Sequence, residues 1–299
     1  MSALRRYALP VRGAVIGTGW GRTHVGTLRA AGVEVVALVG VDAARTAAVA
    51  EIEGVPLGTT ALDAIDDVDV VVVAAPSRDH AALVERFAHA RVICEKPLTW
   101  DRPPPSLVAL ATRAAERVVV SYALPFVPSA DAFARRARAA GPLAVRVAVD
   151  VRLDGDHSLL ERAREIAGHP LALVRSIVGP LAPRTPGRLA HDTLDATLAG
   201  SAPVALRVAR AAMPGIDYAI EVDSAAGTLA WHGRYRVGEA WRFGDDAGGA
   251  GDPWYAANAA CVGAAVRAWR EPATRDPRTL TALDAIAQEH ALRAALGVE

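Results

Sequence analysis

The chain has 299 residues, and its 33 basic and 33 acidic side chains balance to a formal net charge of zero, which argues against a nucleic-acid or anionic-membrane surface. That length suits one large domain or two ordinary ones, and 52% hydrophobic with 22% charged residues is an ordinary globular balance. No apolar window reaches the ~20 residues of a membrane span and the N-terminal stretch lacks a signal-peptide core, so a cytoplasmic protein without a membrane partner is expected.

Residues 13–19 (GAVIGTG) form an apolar run ending in glycines and predict a buried strand, and 22–31 have helical spacing. A second strand is predicted at 33–41, a helix at 43–54 and a strand at 68–76 (VDVVVVAAP). A helix at 79–90, a strand at 91–97 (RVICEKP), a helix at 105–117 and a strand at 118–123 follow. Fully apolar strands alternating with helices argue for a parallel, doubly wound sheet. After 123 the texture changes. A helix is predicted at 130–141, whose ARRARAA run reads as a solvated face, then a half-exposed strand at 143–153. One long helical region spans 159–179 with Pro170 inside it, and alternating runs between 188 and 243 resemble an antiparallel sheet with one wet face. A Gly/Asp-rich loop at 244–253 precedes two closing helices, roughly 254–270 and 278–296. Cys94 and Cys261 lie in apolar runs and are expected to be buried free thiols, with no disulfide and no metal site.

The first predicted strand runs into Gly17-Thr18-Gly19-Trp20-Gly21-Arg22 at a strand-to-helix turn. Glycines there permit a tight turn and let a pyrophosphate approach backbone N–H groups at a helix start. The third glycine comes one residue early for G-x-G-x-x-G, so the turn must be shorter. An NAD-preferring site places an acid at the end of the second strand, on the ribose hydroxyls. Here that position is Gly40, followed by Val41, and Asp42 starts the next helix. A 2′-phosphate would not be repelled, and Arg45 or Arg22 can meet it, so NADP(H) is favoured and NAD(H) is the alternative. Lys96 is the single lysine in a chain that otherwise writes arginine. A lysine can give up a proton when burial lowers its pKa, and arginine cannot, so the one lysine is informative.

The glycine turn, VVVAAPSRDH (71–80) and CEKPL (94–98) together resemble the Gfo/Idh/MocA oxidoreductases, a likeness extending weakly over nearly the whole chain. Glu95-Lys96-Pro97 matches the family's most specific triplet, and Ala75, Pro76 and His80 match its cofactor loop. The resemblance implies an α/β fold: an N-terminal Rossmann doubly wound parallel sheet (1–122) and a C-terminal α+β domain with a mostly antiparallel sheet (123–299). The last helices are free to pack back on the first domain. The resemblance also implies that Lys96 acts as proton donor and oxyanion stabiliser, that Glu95 contacts the cofactor or the lysine, and that His169 relays a proton with Glu165 orienting it. Ala172 stands where the family has a second acid. Tyr122, Phe126, Trp254 and Tyr255 are the candidate pocket residues. Ala123, Leu124 and Pro125 replace the family's polar Asn-Arg-Arg, which points to a less polar substrate or one held by other residues.

The shortened turn GTGWGR also resembles the thiazolinyl imine reductase subgroup, although that subgroup usually carries histidine where Lys96 stands. The expected activity is NADPH-dependent reduction of a carbonyl or cyclic imine in a small biosynthetic metabolite. The alternatives are an NAD-dependent sugar or polyol dehydrogenase and a non-catalytic dinucleotide-fold sensor. The exposed strands of the second sheet suggest a homodimer or homotetramer.

Overall fold

A computed structural model describes residues 10–155, 157–244 and 252–298. The chain divides into two compact units, one of 1–121 with 258–283 and one of 122–257 with 284–299. The loop expected at 244–253 lies largely outside the described residues.

The first unit is the doubly wound one. It runs β1 (Val11–Ile16), α1 (Arg22–Ala30), β2 (Val33–Val39), α2 (Ala43–Ile52), β3 (Leu57–Thr59), β4 (Val70–Val73), α3 (His80–Arg86), β5 (Arg91–Glu95), α4 (Pro105–Arg113) and β6 (Val118–Ser121). The sheet order β6-β5-β4-β1-β2-β3 is parallel throughout, and it reverses direction of winding between β1 and β4. Central strands such as VVVV in β4 are buried at every position, as a sheet covered on both faces requires.

In the second unit, α5 (Pro128–Ala139) leads into β7 (Pro142–Arg152), α6 (Leu159–Ile166) and α7 (Gly168–Val178). Strands β8 (Ala182–Ala190), β9 (Thr193–Ala199), β10 (Pro203–Arg210), β11 (Gly215–Ser224), β12 (Gly227–Arg236) and β13 (Arg242–Phe243) follow. Their order is β13-β12-β11-β7-β10-β9-β8. The sheet is antiparallel except that β10 runs parallel to β7, a pair hidden from alternation because period two is the same in either direction. Val145, Val147, Val149 and Val151 of β7 point inward while Arg146 and Asp150 point out.

Three differences from the sequence expectation have local causes. The helical region at 159–179 breaks at Ala167 into α6 and α7, because Pro170 has no N–H to bond back to Ile166. The runs at 188–199 turn back at His191, which takes a left-handed φ of 47°, to make a hairpin. The region expected to be helical from 278 opens with β14 (Leu280–Thr281), which pairs antiparallel with β6, before α9 (Ala282–Leu296) begins.

The helix α8 (Pro253–Arg270) contributes to both units. Its Val262, Ala265, Val266 and Trp269 enter the first unit's core with Val15, Leu28, Val72 and Ile93. Cys94 and Cys261 are buried free thiols. No described helix is long and apolar enough to cross a membrane, and no described group of three His, Cys, Asp or Glu residues is arranged to hold a metal.

Candidate active site

The first unit brings the glycine turn, the loop after β4 and the loop after β5 to one end of three neighbouring strands, at the reversal in strand order. Gly17 has φ +121°, and a Cβ there would stand 2.3 Å from the Ala74 carbonyl oxygen. A Cβ on Gly21 would meet the Gly17 carbonyl oxygen at 2.2 Å. These two glycines let the turn fold on itself. Gly19 differs: a Cβ there would meet nothing within 4 Å, and the residue faces open space. The helix α1 begins at this turn with no side-chain cap and no acid in its first turn. An uncapped helix start beside an open glycine suits a phosphate, so Gly17–Arg22 fits a dinucleotide.

The end of β2 has the shape expected of a site without a ribose-binding acid. A Cβ at Gly40 would lie 2.3 Å from Thr46 Oγ1 and 2.7 Å from Thr18 Cγ2. Val41 is fully exposed and Asp42 is the α2 cap, its carboxylate accepting from the Arg45 N–H at 2.8 Å. Of the two arginines expected at a 2′-phosphate, Arg22 is tied to Glu53 Oε1 through Nε at 3.0 Å and Nη2 at 2.9 Å. Arg45 stays exposed in the first turn of α2.

Lys96 follows β5, half-buried, and its peptide bond to Pro97 is cis. Glu95 is 8% exposed. Its Oε1 accepts from the Trp20 indole at 3.2 Å and lies 2.9 Å from His24 Nε2, while Oε2 accepts from the Lys96 backbone N–H at 3.3 Å. On the other side of the lysine, the Pro97 carbonyl oxygen lies 2.7 Å from His80 Nδ1, and His80 Nε2 lies 2.8 Å from the Ala75 carbonyl oxygen. Both nitrogens of this buried ring are occupied by backbone. His80 therefore joins the two loops.

The second unit holds the other candidates. His169 is 5% exposed in the first turn of α7, edge-on to Trp254 at 4.8 Å and to Tyr122 at 5.9 Å between ring centroids. The break at Ala167 interrupts the helical register expected to set Glu165 beside His169, and Glu165 Oε2 accepts from Arg162 Nη1 at 3.0 Å. Tyr122 is buried, donates to Glu289 Oε1 at 2.9 Å, and its ring closes on Gly168. Phe126 is buried as well. Trp254 belongs to an aromatic stack, lying 4.8 Å from Trp241, which in turn stacks on Tyr218, Tyr235 and Phe243. Burial, then the nearby charge of Glu165, holds the Tyr218 phenol well above its ordinary value and thus protonated. Tyr255, the other proposed pocket aromatic, is largely exposed.

The family model of the oxidoreductases with an NAD-binding Rossmann fold, Gfo/Idh/MocA, matches residues 11–124, a segment that contains the whole turn and Glu95-Lys96-Pro97. That segment is similar to the dinucleotide-binding part of the Gfo/Idh/MocA oxidoreductases. Solved structures extend the likeness of fold to the rest. Myo-inositol 2-dehydrogenase from Lactobacillus plantarum has 20% identity and a TM-score of 0.76, over 97% of each chain. Levoglucosan dehydrogenase in complex with NADH and levoglucosan has 16% identity and a TM-score of 0.74, over 96% of each chain. GenD2 from gentamicin A biosynthesis, in complex with NAD, has 22% identity and a TM-score of 0.72, over 96% of this chain and 93% of its own. No curated protein matches by sequence.

The sequence reading missed His24, Gln288 and Glu289. Gln288 Nε2 donates to the Gly168 carbonyl, one residue before His169. The available signal was polar residues set among the buried positions of α1 and α9.

Proposed function

We propose that the protein is an NAD(P)(H)-dependent oxidoreductase interconverting an alcohol and a carbonyl on a small molecule, with Lys96 moving the proton. One observation carries the reading. The Glu95 carboxylate accepts from Trp20 of the glycine turn on one oxygen and from the backbone N–H of Lys96, the only lysine, on the other. The groups suited to a pyrophosphate and to proton transfer thus share one end of the sheet.

A bound nicotinamide dinucleotide supplies or accepts the hydride. Residues Gly17–Arg22 would hold its phosphates on backbone N–H groups at the start of α1. In the reductive direction the Lys96 ammonium hydrogen-bonds the carbonyl oxygen and gives it a proton as negative charge develops there. In the oxidative direction the neutral amine takes the hydroxyl proton. In the second unit, His169 is the candidate for a further proton relay.

The myo-inositol and levoglucosan dehydrogenases among the fold neighbours support alcohol–carbonyl chemistry over reduction of a cyclic imine. The buried Ala123, Leu124 and Pro125 support a substrate less polar than a polyol, or one held by other residues. Gly40 and exposed Arg45 support acceptance of NADP(H), and the NAD complexes among the neighbours support NAD(H) as its competitor. The exposed face of the second sheet supports self-association. Across it Arg188 and Arg207 flank Asp195, and Glu221 lies opposite Arg146. The depression on that face includes none of the residues assigned to the reaction.

The experiment is titration of NADPH and NADH against tryptophan fluorescence, in the wild type and in Lys96→Met. Saturable binding in both proteins, with alcohol oxidation or ketone reduction lost only in Lys96→Met, is the expected result. Absence of binding by either cofactor would remove the reading.

A further inference from the structure

We infer that His24 is a positioning residue for Lys96, acting through the buried carboxylate of Glu95. The inference rests on the proton-transfer role proposed for Lys96. His24 sits in the first turn of α1 with none of its surface exposed. Burying an imidazole is unfavourable unless its nitrogens are bonded. Its Nε2 meets Glu95 Oε1 at 2.9 Å, and its Nδ1 lies 3.5 Å from the Thr27 hydroxyl. An ionised carboxylate only accepts, so the hydrogen of the Nε2 contact belongs to His24. Trp20 Nε1 is the second donor on the same oxygen.

Glu95 needs these donors because a carboxylate withdrawn from water is strongly disfavoured when partners are missing. Its negative charge is felt nearby: the Cys261 thiol is pushed up to about 12 by burial and then by Glu95. The remaining oxygen, Oε2, takes the Lys96 backbone N–H. One carboxylate therefore links two groups at the start of α1 to the main chain of the lysine. His80 holds the opposite flank at the Pro97 carbonyl. With both flanks fixed, the lysine stem leaves the backbone in one direction. Loss of the His24 donor releases the first flank and loosens a half-buried amine.

Because the chain contains one lysine, the state of its amine can be read without a substrate. Full-length protein is treated with formaldehyde and cyanoborohydride, and methylation of the Lys96 peptide is followed by mass spectrometry. His24→Gln carries an amide N–H about where Nε2 stands, whereas His24→Asn carries one only as far as Nδ1. The expected result is His24→Gln within about twofold of wild type and His24→Asn methylated about tenfold faster, on the scale of one lost hydrogen bond to a charged group. Wild-type or slower methylation in His24→Asn overturns the inference, and so does a His24→Gln rate as fast as that of His24→Asn. If His24→Asn does not fold, Trp20→Phe removes the other donor from an exposed ring. Faster methylation there supports transmission through Glu95, and an unchanged rate overturns it.

Cofactor titration of the same proteins separates the two readings. Failure of the wild type to bind NAD(P)H removes the oxidoreductase proposal and leaves the methylation result to judge the His24 link. When a substrate is in hand, His24→Asn is expected to lower kcat with KM and cofactor Kd unchanged, and His24→Gln to restore it.

Discussion

Replacing Gly19 by alanine separates what the turn needs for folding from what it needs for binding. At Gly17 and Gly21 an added Cβ would run into backbone at 2.3 and 2.2 Å, and Gly17 also has φ +121°. Alanine at either is expected to destabilise by about 2 kcal/mol or more. At Gly19 the same methyl meets no protein atom within 4 Å, and the backbone is not in the left-handed region. Gly19→Ala should therefore leave the free protein as stable as wild type or firmer by ~0.4–1 kcal/mol, through a less flexible unfolded chain. In a domain of this size that is a rise of no more than about 4 °C in Tm. The space beside Gly19 is nonetheless the space assigned to the phosphates. A methyl forced into a filled site costs about 1–3 kcal/mol, so dinucleotide binding should weaken by roughly 5- to 150-fold. The assay is paired: differential scanning fluorimetry without ligand, then NADPH and NADH titration. Unchanged Kd in a normally stable Gly19→Ala would refute the assignment of the phosphates to this turn.

Three further outcomes follow from the geometry. Arg45→Ala is expected to weaken NADPH binding by about tenfold, the worth of one charged contact, with NADH unchanged, and equal effects on both would show that Arg45 does not meet a 2′-phosphate. Tyr122→Phe removes the donor to buried Glu289 and should lower stability by about 1.5–3 kcal/mol, read as a shift in urea midpoint at constant m. Burial, with the Glu95 charge second, raises the Cys261 thiol to about 12, so it stays neutral below that pH. At pH 8, Ellman's reagent should find no reactive thiol in the native protein and two in guanidinium, because Cys94 is buried too.

The first unit was legible because its strands are buried on both faces, and such strands write unbroken apolar runs such as the VVVV of β4. The turn was legible because its constraint is steric and glycine is the residue that satisfies it. In the second unit alternation gave the strands but not their directions, which is why the parallel β7–β10 pair appeared only in three dimensions. Pro170 was visible, but whether it kinks or ends a helix depends on the packing around it. The candidate site divided in the same way. Lys96 stood out because it is unique in the chain. Glu165 was assigned from its place in the family motif, and what the sequence did not show is the helix break between it and His169 and the Arg162 side chain that donates to it. His24 and Glu289 were hidden because a buried polar residue is explained by its partner, and theirs are 71 and 167 positions away.

The chain's path has a consequence for synthesis. Neither unit is continuous: the chain passes between them after Ser121, after Ala257 and after Leu283. The first unit's sheet gains its edge strand only from Leu280–Thr281, and its core is completed by Val262, Ala265, Val266 and Trp269. A ribosome making this protein releases the glycine turn and Lys96 early but must continue through Leu283 before the unit that holds them can close. The dinucleotide-binding half therefore starts before the second unit and is completed only after most of that unit has been made. A fragment ending at Ser121 would carry every residue assigned to the cofactor and still lack the wall it is built against.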